Sequence, residues 1–230
     1  MLIKGLAKLT LLDYPEHVAC TVFTGGCNFR CPFCHNASLA VRARELPDID
    51  EREVFDLLQK RRGVLDGICV SGGEPLMMPD LDKFLTRVKE MGYAVKLDTN
   101  GSYPDRLAAL IDRGLVDMVA MDIKNSPEKY PLTVGVQGLD MTPIRESADL
   151  LMRGQLPYEF RTTVVKELHA AEDFQRIGEW IRGARAYYLQ SFIDSGDLIG
   201  TDMHPHTKET LTQFLSIVKP YVEDAHLRGI

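Results

Sequence analysis

Lysines and arginines form no run longer than Lys60-Arg61-Arg62 in the 230 residues, and the formal net charge is −6. Sequence-independent binding to nucleic acid or to an anionic membrane needs a cationic face, so neither is expected. Long apolar stretches are missing too. The first segment, MLIKGLAKLTLLDYPEH, is broken by Lys4, Lys8 and Asp13 before it reaches the length of a secretory leader or a membrane span. A cytoplasmic protein is the expectation. Cysteine is scarce, five in all, odd in number and clustered. A chain long enough to bury a core needs no staples, so this usage points to a reduced compartment and a metal rather than to a disulfide framework. No internal repeat, low-complexity tract or linker divides the sequence, and a single domain over 1–230 is expected.

What is present is alternation. Short apolar runs rich in β-branched residues recur at 18–24, 67–72, 93–99, 116–122, 158–165 and 186–192, and read as six buried strands. Between and after them lie helical periods: Leu81, Phe84, Leu85 and Val88; Leu107, Leu110 and Ile111; Leu211, Phe214, Leu215 and Val218. Each set spaces apolar residues at i, i+3 and i+4, which turns one stripe toward a sheet. Start signals are Ser102 with Asp105 as a capping box, and Thr142 as N-cap with Pro143 at the first helical position. Such alternation requires right-handed crossovers and a parallel sheet. Eight repeats usually need about 250 residues, so an α/β fold of six units, a partial TIM-like (β/α)6 barrel, is favoured over a closed one.

Two connections are long, 25–48 and 123–141, and in parallel α/β folds the loops after strand ends carry the chemistry. The first holds GGCNFRCPFCHN, with Cys27, Cys31 and Cys34 spaced C-x3-C-x2-C. A structural zinc wants four ligands and usually a second C-x2-C knuckle, which is absent, and the adjacent Cys34 and His35 are awkward joint ligands of one ion. The alternative is an iron-sulfur cluster held at three irons, its fourth position open to a small molecule. Cys20 and Cys69 lie inside apolar strands and read as core.

The triplet, with aromatic Phe33 before its last cysteine, resembles the signature of radical S-adenosylmethionine (SAM) enzymes. That resemblance implies a [4Fe-4S] cluster on Cys27, Cys31 and Cys34, with SAM on the open iron, and it can be followed along the other strand ends. Ser71-Gly72-Gly73-Glu74-Pro75 allows close backbone approach and offers an acceptor, and by resemblance Gly72, Gly73 and Glu74 meet the amino group of SAM. Asp98 and Asp122, in LDTNG and MDIK, can be turn residues. Carboxylates at the mouths of adjacent strands also repel each other unless a cation intervenes. Both segments are similar to those of glycyl-radical-enzyme activases, which implies that Asp98, Thr99 and Asp122 lie near a monovalent cation, with Asn100 alongside, and that Lys124 touches SAM.

Arg161, inward in a buried strand, must find an anion: an internal carboxylate or that of SAM. Gln190 stands where related activases often carry histidine on the adenosine side, and is the substitute candidate. His204 and His206 read as solvated loop residues. Asp13-Tyr14-Pro15 corresponds to a segment that meets the partner protein in activases.

Taken together, TLLDYPEHVACTVFTGGCNFRCPFCHN, GGEP, LDTNG and MDIK resemble the anaerobic ribonucleoside-triphosphate reductase activating proteins over roughly positions 1–192. The resemblance implies reduction by flavodoxin or ferredoxin, cleavage of SAM to methionine and a 5′-deoxyadenosyl radical, and hydrogen abstraction from a glycine of the partner. Activation of another glycyl radical enzyme, a small-molecule reaction like that of the 7-carboxy-7-deazaguanine synthases, an iron-sulfur electron carrier and a zinc-stabilised binding module remain open alternatives.

Overall fold

The structure is a computed structural model describing all residues 1–230. Eight strands form one sheet: β1 (Ile3–Thr10), β2 (Ala19–Thr24), β3 (Gly67–Gly72), β4 (Ala94–Thr99), β5 (Met118–Asp122), β6 (Tyr158–Val164), β7 (Ala186–Ser191) and β8 (Asp224–Arg228). Their order in the sheet is their order in the chain, and the sheet does not close, β1 and β8 being its two ends. β2 to β7 are the six expected strands. β2 and β3 are runs of apolar and β-branched residues buried on both faces, whereas β7 buries only alternate residues. β1 and β8 are additions, and the first is antiparallel to β2.

The chain divides into two compact units. One comprises Met1–Asn28, Ser38–Thr99 and Tyr103–Val119; the other comprises Phe29–Ala37, Asn100–Ser102 and Ala120–Ile230. In the first, β2, β3 and β4 pair in parallel, Cys20 opposite Ile68 and Ile68 opposite Val95. Helices α2 (Glu51–Lys60), α3 (Leu81–Glu90) and α4 (Pro104–Asp112) bury the stripes that the sequence spacing indicates, among them Leu81, Phe84, Leu85 and Val88. Each fully buried Leu or Phe of this kind contributes about 2 kcal/mol. Cys20 and Cys69 are wholly inside, and burial pushes the Cys20 thiol up to about 12, so both are core residues.

In the second unit β6, β7 and β8 are parallel, and α6 (Thr142–Arg153), α7 (Ala171–Trp180) and α8 (Lys208–Val218) present Leu151, Phe174 and Phe214 to the core. The long connections contain short helices, α1 (Ala37–Val41) and α5 (Tyr130–Thr133).

Two helix starts differ from the sequence reading. α4 begins at Pro104, and Ser102 does not cap it: Asn100 accepts the Ser102 N–H at 3.0 Å, turning the chain early, and the buried Ser102 hydroxyl has no hydrogen-bond partner. α6 begins on Thr142 itself. Met141 occupies the N-cap without a side-chain bond, and the Asp140 carboxylate before it accepts the Thr142 N–H at 2.9 Å. No helix is long and apolar enough to cross a membrane.

Candidate active site

The cysteine loop leaves β2 through Gly25 and Gly26. Gly26 has φ +90°, and its N–H donates to Leu39 O at 2.7 Å, so the chain turns back on α1. Here the Gly72-Gly73 pair finds its use. Gly73 N–H donates to Thr24 O at 2.9 Å and Glu74 N–H to Gly26 O at 2.8 Å. A Cβ on Gly73 would lie 1.9 Å from Gly26 O, and Gly72 sits at φ +113° against the Thr24 backbone. The close approach that the glycine pair permits is made to the start of the cysteine loop. Two hydrogen bonds lock GGEP to the strand end that precedes Cys27.

Glu74 is fully buried. Its Oε1 accepts the Leu76 N–H at 3.0 Å, capping a short 3-10 turn, and the Thr99 hydroxyl at 2.8 Å. Asp98 takes Lys96 Nζ at 2.6 Å and the Ser71 hydroxyl at 3.1 Å. Lys96 is 1% exposed and was not singled out from the sequence, although positions 96 and 98 share one face of a strand.

In the second unit the loop is held from two further directions. Arg30 N–H donates to Val134 O at 2.8 Å, and Gly200 N–H donates to Pro32 O at 2.8 Å. Phe33 is buried with its edge toward His169, ring centroids 6.5 Å apart. His35 stacks on Phe192 at 5.5 Å and hydrogen-bonds the Ile193 backbone; burial lowers its pKa. His35 and Phe192 are site neighbours that the motif reading missed.

Asp122 and Lys124, at the end of β5, are bonded at 2.8 Å, and Arg161 reaches the same carboxylate at 3.2 Å. Burial pushes Asp122 up, but Lys124 and Arg161 outweigh it and hold its carboxyl down at about 2. Burial pulls Lys124 down, and Asp122 and then Cys31 raise it further, leaving it above the ordinary lysine range. Arg161 thus takes the internal partner. Its guanidinium also lies 4.0 Å from Glu159, which Arg228 grips through both carboxylate oxygens at 3.1 Å. Three cations face two carboxylates, so this cluster carries one net positive charge.

These pairings bear on the expected monovalent cation. Within its own unit Asp98 pairs with Lys96, and Asp122 with Lys124 and Arg161. Gln190 lies on β7 opposite Thr163 and Arg228, half-buried. His204 is exposed, as expected, and pairs with Glu167 at 2.8 Å, whereas His206 is half-buried and its Nε2 donates to His169 O at 3.0 Å. Of Asp13-Tyr14-Pro15, Tyr14 is core, 3% exposed, with burial pushing its pKa up to about 12.

None of the five cysteines is in a disulfide. Burial raises the Cys34 thiol, while the Asn36 backbone and Lys124 draw it down. No three thiol, imidazole or carboxylate groups are gathered to hold a single ion. A cluster is ligated from outside, through separate irons, and needs no such convergence. A lysine beside the cysteines, itself paired with Asp122, suits that donor chemistry, because a nearby cation favours the anionic form of a thiol.

Residues 21–173 match the description of the Radical SAM superfamily. The chain belongs to that superfamily. A Methanocaldococcus jannaschii protein named as a glycyl-radical enzyme activating enzyme is 30% identical over 236 residues, covering 100% of this chain and 96% of its own. The pyruvate formate-lyase-activating enzyme of Listeria monocytogenes is 29% identical over 70% of this chain and 68% of its own. Among solved structures, a domain of the Bacteroides vulgatus pyruvate-formate lyase-activating enzyme superposes with TM-score 0.56 at 20% identity, over 71% of this chain and 99% of that one. That likeness is one of fold. As a radical SAM protein, the chain is an enzyme whose family uses a [4Fe-4S] cluster and SAM.

Proposed function

We propose that this radical SAM enzyme generates a glycyl radical on a partner protein, and that the partner is anaerobic ribonucleoside-triphosphate reductase. The observation that carries the site is the cysteine loop with Lys124 set against it: the charge of this lysine acts on both Cys31 and Cys34. The full-length relative named as an activating enzyme supports the protein substrate.

When bound, the cluster and SAM supply one-electron chemistry that ends in hydrogen abstraction from a backbone glycine. The chain's own residues hold and orient. Cys27, Cys31 and Cys34 ligate the cluster. The net positive group of Lys124, Arg161 and Arg228 around Asp122 and Glu159 would hold the carboxylate of SAM, Lys124 being the proposed contact. The Gly72-Gly73-Glu74 backbone, fixed to Thr24 and Gly26, faces its amino group, and Phe33 and Gln190 bound the adenosine side. Asp98, Thr99 and Asn100 shape the adjoining strand end, where a monovalent cation is the finer reading. Flavodoxin or ferredoxin is the proposed reductant. All of this is assigned to one functional domain in a reducing, cytoplasmic setting.

The test is anaerobic reconstitution followed by an assay of reductive SAM cleavage. The parent should release 5′-deoxyadenosine, and Cys27→Ala, Cys31→Ala and Cys34→Ala should each lose this activity by several orders of magnitude. One variant cleaving SAM as well as the parent would remove the cluster assignment. Electron paramagnetic resonance on the reductase after incubation with the enzyme, SAM and reductant should then show a glycyl radical. Its absence with every glycyl radical partner, alongside intact SAM cleavage, would favour a small-molecule substrate.

A further inference from the structure

We propose that His169 is a positioning residue for Lys124, fixing the lysine's main chain through Nε2 and backing the cysteine loop through Phe33. This rests on the reading that Lys124 contacts SAM.

His169 lies between β6 and α7 and is 2% exposed. Its Nε2 is 2.9 Å from Lys124 O, and its Nδ1 is 3.0 Å from Val165 N and 3.2 Å from Val165 O. These neighbours decide the tautomer. A carbonyl only accepts, so Nε2 must carry the hydrogen toward Lys124; an amide N–H only donates, so Nδ1 must be the bare nitrogen toward Val165 N–H, while Val165 O already accepts the His169 main-chain N–H at 2.9 Å and needs no ring hydrogen. The opposite tautomer would set lone pair against lone pair at Lys124 O and leave the buried Val165 N–H without its acceptor. One neutral form satisfies both contacts, and it ties the residue after Ile123 to the end of β6.

The imidazole is itself held on every side. Phe33 meets it edge-on at 6.5 Å, and Phe174 lies at 6.0 Å. Its carbonyl accepts from His206 Nε2 at 3.0 Å. The next residue, Ala170, donates its N–H to Asp173 at 2.8 Å, and Asp173 is gripped by Lys129 at 2.7 Å and the Ser126 hydroxyl at 3.1 Å. A ring so fixed transmits little slack. It sits between Lys124, whose carbonyl it meets, and Phe33, the aromatic residue between Cys31 and Cys34.

Two substitutions separate positioning from packing. In His169→Gln the terminal amide nitrogen can still reach Lys124 O, but the acceptor for Val165 is lost. In His169→Asn the side-chain oxygen can replace Nδ1 toward Val165, but the chain is too short for Lys124. With anaerobically reconstituted protein, SAM dissociation constants are measured for the parent, both variants and Lys124→Met, together with thermal unfolding midpoints. Outer-sphere partners of this kind commonly change affinity or activity by 10- to 100-fold. The expected pattern is SAM binding weakened about tenfold or more in His169→Asn and retained within about threefold in His169→Gln, whatever the order of their midpoints.

Equal binding by His169→Asn and the parent overturns the role of His169, and so does a loss that follows the midpoints in both variants. If the parent binds no SAM, or Lys124→Met binds as the parent does, the reading of Lys124 falls and this inference with it. A variant that fails to fold leaves a direct check on the parent: nitrogen-15 spectra of the imidazole should show Nε2 protonated and Nδ1 bare, and the reverse pattern overturns the assignment.

Discussion

Asp122 sits between Lys124 and Arg161 and is ionised at any pH where the protein works. Its carboxyl lies at about 2 in the fold against an ordinary 3.8. A depressed acid stabilises the fold above its unfolded value and loses that contribution as the pH falls through the folded one. The shift corresponds to about 2 kcal/mol at neutral pH. Asp122→Asn should therefore be less stable than the parent by about 2 kcal/mol at pH 7, with roughly half of that gap left at pH 3 and almost none near pH 2. Urea denaturation of both proteins at matched pH measures it. A gap that stays constant down to pH 3 would mean that Asp122 acts through packing rather than charge. The partners of this carboxylate were half legible: Asp122 ends β5 and Lys124 lies two residues beyond it, and the two were singled out together, as was Arg161. Lys96 and His169 were not. A lysine inside an apolar strand declares itself only when period two is applied to Asp98, and a buried histidine in a connection carries no sequence signal at all.

At the scale of elements, the pairing of GGEP with the start of the cysteine loop makes glycine at 73 a backbone requirement. A methyl group there would stand 1.9 Å from Gly26 O, and that atom cannot move away without breaking the bond from Glu74 N–H. Gly73→Ala should cost about 3 kcal/mol and lower the iron bound after reconstitution, because displacement of Gly26 is passed directly to Cys27. Iron content and a urea midpoint check both. Normal values for each would show that the two segments move independently. The inner strands were readable because a strand buried on both faces is a continuous apolar run. β1 and β8 were not, since an edge strand needs only one apolar flank: β1 intersperses Lys4 and Lys8, and β8 is DAHLR, with Asp224 and His226 exposed. The misread helix starts share one cause. Asn100 and Asp140 take the backbone N–H two residues on, an Asx turn that shifts the cap from where composition alone puts it.

Across the whole molecule the sheet is a gradient from edge to interior. β2 and β3 have parallel or antiparallel neighbours on both sides, and Ala19, Cys20, Val22, Ile68, Cys69 and Val70 are completely buried. β8 hangs on β7 alone, and the turn after β1 carries Leu11 and Leu12 at 68% and 88% exposure. Local opening free energies follow buried contact and shared hydrogen bonding, approaching the global value only in core strands. Hydrogen exchange read peptide by peptide should therefore find residues 19–24 and 67–72 slowest, residues 8–16 fast, and residues 224–228 faster than the β7 strand they flank. Arg228 is a counterweight in β8, because its two bonds to the buried Glu159 carboxylate close the edge at its last residue. Arg228→Met should remove that clasp and speed exchange in 224–228 while leaving 19–24 unchanged. Exchange in β8 as slow as in β2, or an Arg228→Met variant whose β8 peptide is unaltered, would show that the edge is closed by something other than this ion pair.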